Sequence, residues 1–439
     1  MKKMSFGWVL ALYIGSMLIS CSDESIIENR NDEISITELE NNQYKVTVDE
    51  AKEVAVNFIN AFKKVSSTRS RNVDIENVEV IEVEEKVTRS IGLDEGIDTL
   101  FYAVNLSNNG GYVLVGADKR IEPIWGISDE GKFSMSIVEE NPNFAYFLNL
   151  AVGKAVYDIK TNIASITSVN PRLEDYDGVI FANYSLNTKW GQGAPYNMYC
   201  PGPYTGCVAV AVSQILSHFP VIGNVSWSDN SSSGSATLHW NQILNDCFKY
   251  DGKLTLYDTP QSANEIAHLM RYLGVVLKAD YKDTGTSISS KDAINWINDW
   301  TSLTATSLKE YNENEVFMGT NAFSNKIVYM RGNRGKKKFI GITIKYTGGH
   351  AWVADGSMTV RRKSDSRLVN LFHFNWGWNG NCNGYFLAAV FDSSNPAIAD
   401  SELPGYSNLL DEGTEGNYQY NVEYSIISNP NSLGGGMIH

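Results

Sequence analysis

The chain has 439 residues, 43% apolar and 20% charged, with a net charge of −14. That length exceeds one ordinary core and points to two or three domains, and the composition excludes a disordered or low-complexity chain. The acidity is uneven: residues 22–180 hold 29 Asp and Glu against 15 Lys and Arg, and residues 181–439 hold 21 against 19, which separates two units and argues against nucleic acid as a partner.

Residues 1–20 read as an export signal, with Lys2 and Lys3 ahead of an apolar run from Trp8 to Ile14 and then small residues. Leu18-Ile19-Ser20-Cys21 resembles a bacterial lipobox, so Cys21 is expected to carry a lipid and become the first residue of the exported protein. Residues 21–44 are acidic and polar without periodicity and read as a flexible tether. Residues 45–166 then give a small α+β unit. Ala51, Val54, Ala55, Phe58, Ile59 and Phe62 fall at helical spacing, with Thr47 or Asp49 as the cap. Residues 78–87 alternate as a strand, 100–106 and 111–116 form a hairpin, 121–127 another strand, and 143–166 a helix. Residues 167–189, with Pro171, read as a polar connection and mark the boundary to a second unit at 190–439.

The second unit opens on Trp190-Gly191-Gln192-Gly193-Ala194-Pro195-Tyr196-Asn197, which is loop chemistry. Gly206 then delivers Cys207 onto the first turn of an apolar helix, Val208 to Val212. A helix N-terminus favours a thiolate, and a nearby histidinium lowers the thiol further. Residues 224–235 read as a Ser/Asn/Gly-rich loop; helices are expected at 241–244, 262–273 and 289–300. The chain then turns β-rich, with strands at 326–329, 339–345, 350–354, 369–374, 385–390 and 420–427, a basic loop at 331–338 and a Gly-rich tail. Cysteines are sparse for so long an exported chain, so no disulfide framework is implied, and a pairing of Cys247 with Cys382 stays open.

Three stretches carry chemistry together that none carries alone. Taken singly, Cys207 is a small buried thiol, Gln192 a loop residue, and Asn375-Trp376-Gly377-Trp378 a turn with aromatic packing. Gly348-Gly349-His350 puts a histidine at the head of a strand, where the glycines let substrate backbone approach. Gln192 precedes the cysteine at a distance suited to a second oxyanion donor beside the Cys207 N–H. Asn375 is placed to accept the N–H of His350 and fix its tautomer, with Trp376 excluding water from that bond.

Gln-Gly-x-Pro-Tyr-Asn, Thr-Gly-Cys-Val-Ala, Gly-His-Ala-x-Val-x-Asp-Gly and Asn-Trp-Gly-Trp-x-Gly resemble the streptopain family of cysteine proteases, exotoxin B-like and interpain-like. Gly110-Gly111-Tyr112-Val113-Leu114-Val115, with Ala117 to Ile124, resembles the family's pro-domain. The resemblance implies a papain-like α+β fold, in which a helical part carries the cysteine and a sheet carries the histidine. It implies a zymogen whose inhibitory pro-domain (45–166) displaces the catalytic histidine, and a processing linker at 167–189. It assigns Cys207 as nucleophile, His350 as general base and acid, Gln192 as oxyanion donor and Asn375 as orienter, with Trp376, Trp378 and Gly349 as supporting wall. No cofactor or metal is implied. The partners are protein or peptide substrates, the chain's own pro-domain and, before processing, a membrane reached through lipidated Cys21. The precursor is expected as an outer-membrane or cell-surface lipoprotein whose cleavage releases the enzyme outside the cell. Two rival readings are another acyl-transfer enzyme, such as a transglutaminase or amidase, and an adhesin or haemagglutinin-like surface protein on a protease fold.

Overall fold

Thr47 starts the first helix. Its Oγ1 accepts from the Glu50 N–H at 3.2 Å, and Glu50 Oε2 accepts from the Thr47 N–H at 2.7 Å. Such a reciprocal cap is worth about 1 kcal/mol. It opens α1 (Val48–Val65), whose stripe from Ala51 to Phe62 is buried as its spacing predicts. This computed structural model describes residues 44–65, 73–82, 99–162, 176–230, 232–246, 259–321, 324–332, 349–363, 365–392 and 422–431. The leader, Cys21, nearly all of the acidic tether, Cys247, the strand expected at 339–345 and the C-terminal tail lie outside those residues.

After α1 come β1 (Ile75–Glu82), β2 (Thr99–Leu106), β3 (Tyr112–Gly116) and β4 (Ile124–Ser128), an antiparallel meander. A short α2 (Met135–Glu140) leads into α3 (Pro142–Asn162). From Phe144 to Val152 every residue of α3 is buried, so this helix runs inside the protein rather than over its surface.

The second unit places its helices first. They are α4 (Cys207–His218), α5 (Trp240–Asp246), α6 (Pro260–Val276), α7 (Ser290–Trp300) and α8 (Glu313–Thr320). Two small hairpins lie between them, β6 (Asn224–Ser228) with β7 (Ser233–Thr237) and β8 (Asp280–Lys282) with β9 (Gly285–Ser287). Short β10 (Thr304–Ala305) and β11 (Lys309–Glu310) precede the long strands β12 (Lys326–Gly332), β13 (His350–Arg362) and β14 (Leu368–Asn375). The last two are β15 (Gly384–Leu387) and β16 (Val422–Ser428).

The two units share one sheet, ordered β1-β2-β3-β4-β15-β14-β13-β12-β16-β10. The join is β4 against β15, where Ile127 faces Tyr385 and Gly126 faces Phe386. Side chains alternate across a strand, and along β13 that alternation divides two cores. Trp352 and Ala354 enter a core shared with α1, β1–β4, α3, Phe374 and Trp376. Ala351 and Val353 enter a second core with α4, α6 and α7.

Three stretches differ from their sequence reading. Residues 224–235 form most of a hairpin rather than a loop, because Val225 and Trp227 are buried between exposed Asn224, Ser226 and Ser228. Asp355-Gly356 does not end the strand; β13 runs on to Arg362, with a register shift between Ala354 and Gly356. A bulge of this kind re-aims a side chain without ending the pairing. The polar connection read at 167–189 contains a strand, β5 (Tyr176–Tyr184), paired antiparallel with β13 from Gly356↔Tyr184 to Arg362↔Tyr176. Gly356 is required there: a Cβ would lie 2.0 Å from the Asn183 carbonyl oxygen.

The segment after β5 is tied down as well. Asp355 Oδ2 accepts from the N–H groups of Leu186 (2.8 Å) and Ser185 (3.3 Å), and Thr188 O accepts from Asn375 Nδ2 at 2.7 Å. Residues 176–189 therefore belong structurally with the second unit, and maturation is expected to cut before Tyr176. N-terminal sequencing of the processed form checks this, and a first residue beyond Tyr184 would contradict it. A chain begun at Trp190 should unfold at a lower temperature than one begun before Tyr176.

Candidate active site

Cys207 is the first residue of α4. Its N-cap is Gly206 at φ +96°, a conformation that L side chains avoid, and a Cβ there would lie 3.2 Å from Thr286 Cγ2. Residues 208–217 are buried all round, so the helix that presents the sulfur is held by the second core. The Gln192 loop is brought to the same point by the Thr205 N–H, which donates to Gln192 O at 2.9 Å, two residues before the cysteine.

The head of β13 lies against the sulfur. Cys207 Sγ is 3.9 Å from Gly349 O. Burial pushes the Cys207 thiol up; the N–H groups of Ala351, Val208 and Cys207 itself oppose that push. Cys207 and His350 are thus brought together by backbone, through the residues on either side of the histidine.

The imidazole itself points the other way. His350 has the parity of Trp352 and Ala354, on the face of the first core. The ring of Tyr146, on α3, confirms this by touching both: its centroid is 6.4 Å from that of His350 and 6.0 Å from that of Trp352. Tyr146 also lies over Gly332, the β12 partner of His350, where a Cβ would come within 2.5 Å of the ring. One helical turn earlier, Asn143 Nδ2 donates to Ala351 O (3.0 Å) and Trp376 O (2.7 Å). The first unit thereby grips both the histidine strand and the Asn-Trp-Gly-Trp stretch. Asn141 Nδ2 adds a bond to Asn381 O (3.0 Å), and Glu130 pairs with Lys189.

Asn375 does not orient His350 in this state. Its Nδ2 donates to Thr188 O, and its Oδ1 accepts from Gln214 Nε2 (2.8 Å) and from the Gly377 N–H (3.2 Å). The reason is again parity: Asn375 pairs with Val353, on the helix side of the sheet, and the imidazole is on the opposite side. Trp376 accordingly covers no His–Asn bond. It is fully buried in the first core, 6.0 Å from Phe144 and 5.6 Å from Trp352, with Nε1 donating to Cys382 O at 2.8 Å. Trp378 is half-buried.

Residues 190–386 match the Peptidase C10 family, and residues 43–154 match the Spi protease inhibitor. Residues 190–386 are therefore a peptidase C10 unit. This C10 chain carries the inhibitor-like unit as its pro-domain, ahead of a papain-like cysteine-type peptidase unit. It is 27% identical over 346 residues to streptopain of Streptococcus pyogenes, covering 67% of this chain and 75% of that protein. It is 24% identical over 326 residues to the thiol protease/hemagglutinin PrtT of Porphyromonas gingivalis, covering 66% of this chain but only 34% of that much longer protein. A prointerpain A fragment of Prevotella intermedia is 21% identical, with 82% of this chain and all of the fragment covered at a TM-score of 0.46.

Several residues around Cys207 and His350 escape a reading of the sequence. Asn143 and Tyr146 sit in an apolar helix, and only their all-round burial reveals that they face a second surface. Gln214 is a polar residue inside an apolar helix, which is a signal, but not one that names its partner. Asp355, just past the strand expected at 350–354, and His373, within the strand expected at 369–374, carry no sign of a shared contact in the sequence. They form a buried pair, with Nδ1 to Oδ1 at 2.7 Å, and Tyr184 stacks on the imidazole at 4.4 Å.

The thiols make a testable set. Burial pushes Cys382 up to about 12 and raises Cys200 as well. In the precursor, Cys207 should alkylate slowly at neutral pH, speeding up only above the ordinary thiol range, with Cys382 silent throughout. Mass spectrometry of iodoacetamide-labelled peptides checks this. Fast labelling of Cys207 at neutral pH before any cut would contradict the burial argument.

Proposed function

We propose that the chain is an exported bacterial cysteine endopeptidase, tethered through lipid on Cys21 until processing releases it. Cys207 is the nucleophile, His350 the general base and acid, and Gln192 the oxyanion donor beside the Cys207 N–H. Asn375 is the orienter of His350 in the active form. The observation that carries the reading is the shared packing of His350 and Trp352 on Tyr146 while Gly349 and Ala351 meet the sulfur. A base one side-chain flip from its nucleophile describes a latent enzyme.

Loss of the pro-domain removes Tyr146 and the Asn143 bridge. The residue before His350 is glycine, which costs little to re-orient, so the imidazole can turn to the helix side. There it takes the thiol proton, and the pair becomes thiolate and imidazolium. The sulfur attacks the scissile carbonyl, and the oxyanion is held by the two N–H donors. The C–N bond breaks as the imidazolium protonates the departing amine. Water, deprotonated by the now neutral imidazole, attacks the thioester; the C–S bond breaks and the acid product leaves.

Gln192→Ala should lower kcat of the mature enzyme by about a hundredfold or more, as removal of an oxyanion donor does elsewhere, read by peptide hydrolysis per titrated active site. Cys207→Ala should accumulate as the full-length precursor. Normal processing of that variant would show that another protease makes the cut, and unaltered peptide cleavage by it would overturn the assignment.

A further inference from the structure

Gln214 lies seven residues beyond Cys207 on α4 and is fully buried. Seven residues is close to two whole turns, so both side chains leave the same face of the helix. The catalytic steps above make no use of it. Its Nε2 donates to Asn375 Oδ1 at 2.8 Å.

The orientation of the two amides follows from their backbone partners. Asn375 Nδ2 meets Thr188 O, which can only accept, and Asn375 Oδ1 meets the Gly377 N–H, which can only donate. With Asn375 fixed, Gln214 must present its NH2 group. That choice leaves Gln214 Oε1 buried with no hydrogen-bond partner among the described residues. An apolar residue of the same volume would avoid that loss. The contact therefore serves position more than stability.

We infer that Gln214 is a positioning residue for the catalytic couple. It holds Asn375 Oδ1 from the α4 side, so that the N–H of His350 meets a fixed acceptor once the imidazole has turned to the Cys207 face. The inference rests on the proposed roles of His350 and Asn375. Of the two donors on Oδ1, the Gly377 N–H is the longer at 3.2 Å, and it is the one the imidazole replaces; Gln214 stays. The same bond ties the helix that carries the sulfur to the strand beside β13, and so fixes how far nucleophile and base stand apart.

The test uses mature enzyme counted by active-site titration, with variants that fail to process themselves matured by trace wild-type enzyme. Gln214→Met removes the donor at similar volume, and Gln214→Glu substitutes an acceptor for it. Each should lower kcat about tenfold, the scale of one lost hydrogen bond, with KM within about twofold. In Gln214→Met the alkaline limb of the pH–rate profile should move to lower pH, because the imidazolium loses its fixed acceptor, and in Gln214→Glu it should move as well, in the direction set by the new carboxyl's charge; a purely structural role would leave that limb in place. Gln214→Met combined with Asn375→Ala should be no worse than Asn375→Ala alone. If Gln214→Met does not fold, Gln214→Glu, which keeps size and polarity, carries the test. Wild-type kcat and limb in both Gln214 variants, beside an impaired Asn375→Ala, overturn the role of Gln214 alone. A fully active Asn375→Ala overturns the assignment of Asn375, and that of Gln214 with it.

Discussion

A β-strand hands its side chains to two faces in turn, and in β13 that rule separates the His350 imidazole from the Cys207 sulfur. Cys207 lies at the strand's head, close enough for its sulfur to meet Gly349 O. The odd residues face the helix that bears the sulfur and the even ones face Tyr146. The even set includes His350. On the proposed role of His350, latency needs no plug in a cleft, because a half-turn of one residue suffices. The pro-domain's contribution is to make that half-turn the stable one, with an aromatic ring on the imidazole and an amide on the carbonyl of the next residue. Everything else the two units share, from the common sheet to the Glu130–Lys189 pair, keeps Tyr146 and Asn143 in register with β13.

The second unit has its own polar anchors. The Asp355 bulge turns a carboxylate onto the backbone of residues 185 and 186 and onto His373, and Asn375 reaches Thr188. Both anchors lie on the stretch that follows β5. The two strands that carry His350 and Asn375 thus also hold the entry to their own domain. Such buried polar contacts add little net stability but define one arrangement among several of similar apolar burial.

Much of this was legible in the residues. Cys207 is legible through the glycine before it and the largely apolar helix after it; the helices follow from their periodicity, and the order of helices before strands gives the α+β plan. What stayed hidden depends on distant pairing. β5 opens on Tyr-Asp-Gly and closes on Asn-Tyr, and its short Val-Ile-Phe-Ala run is drawn into a strand because β13, some 180 residues on, offers an edge. The hairpin at 224–237 hides its alternation among serines and asparagines. Which face His350 takes cannot be read from Gly-Gly-His, since glycine permits either. The partners that Asn375 has here are hidden for the same reason: the motif gives the amide, and the state of the zymogen decides what it binds.

The seam between β4 and β15 is short, two facing residue pairs, yet it belongs to a continuous sheet. Severing the chain ahead of β5 leaves every one of those contacts intact. It only converts an inhibitor held at high effective concentration into a separate molecule. Peptidase output should then lag behind the cut and rise with dilution, since departure of the severed fragment, and not hydrolysis of the connection, uncovers the imidazole.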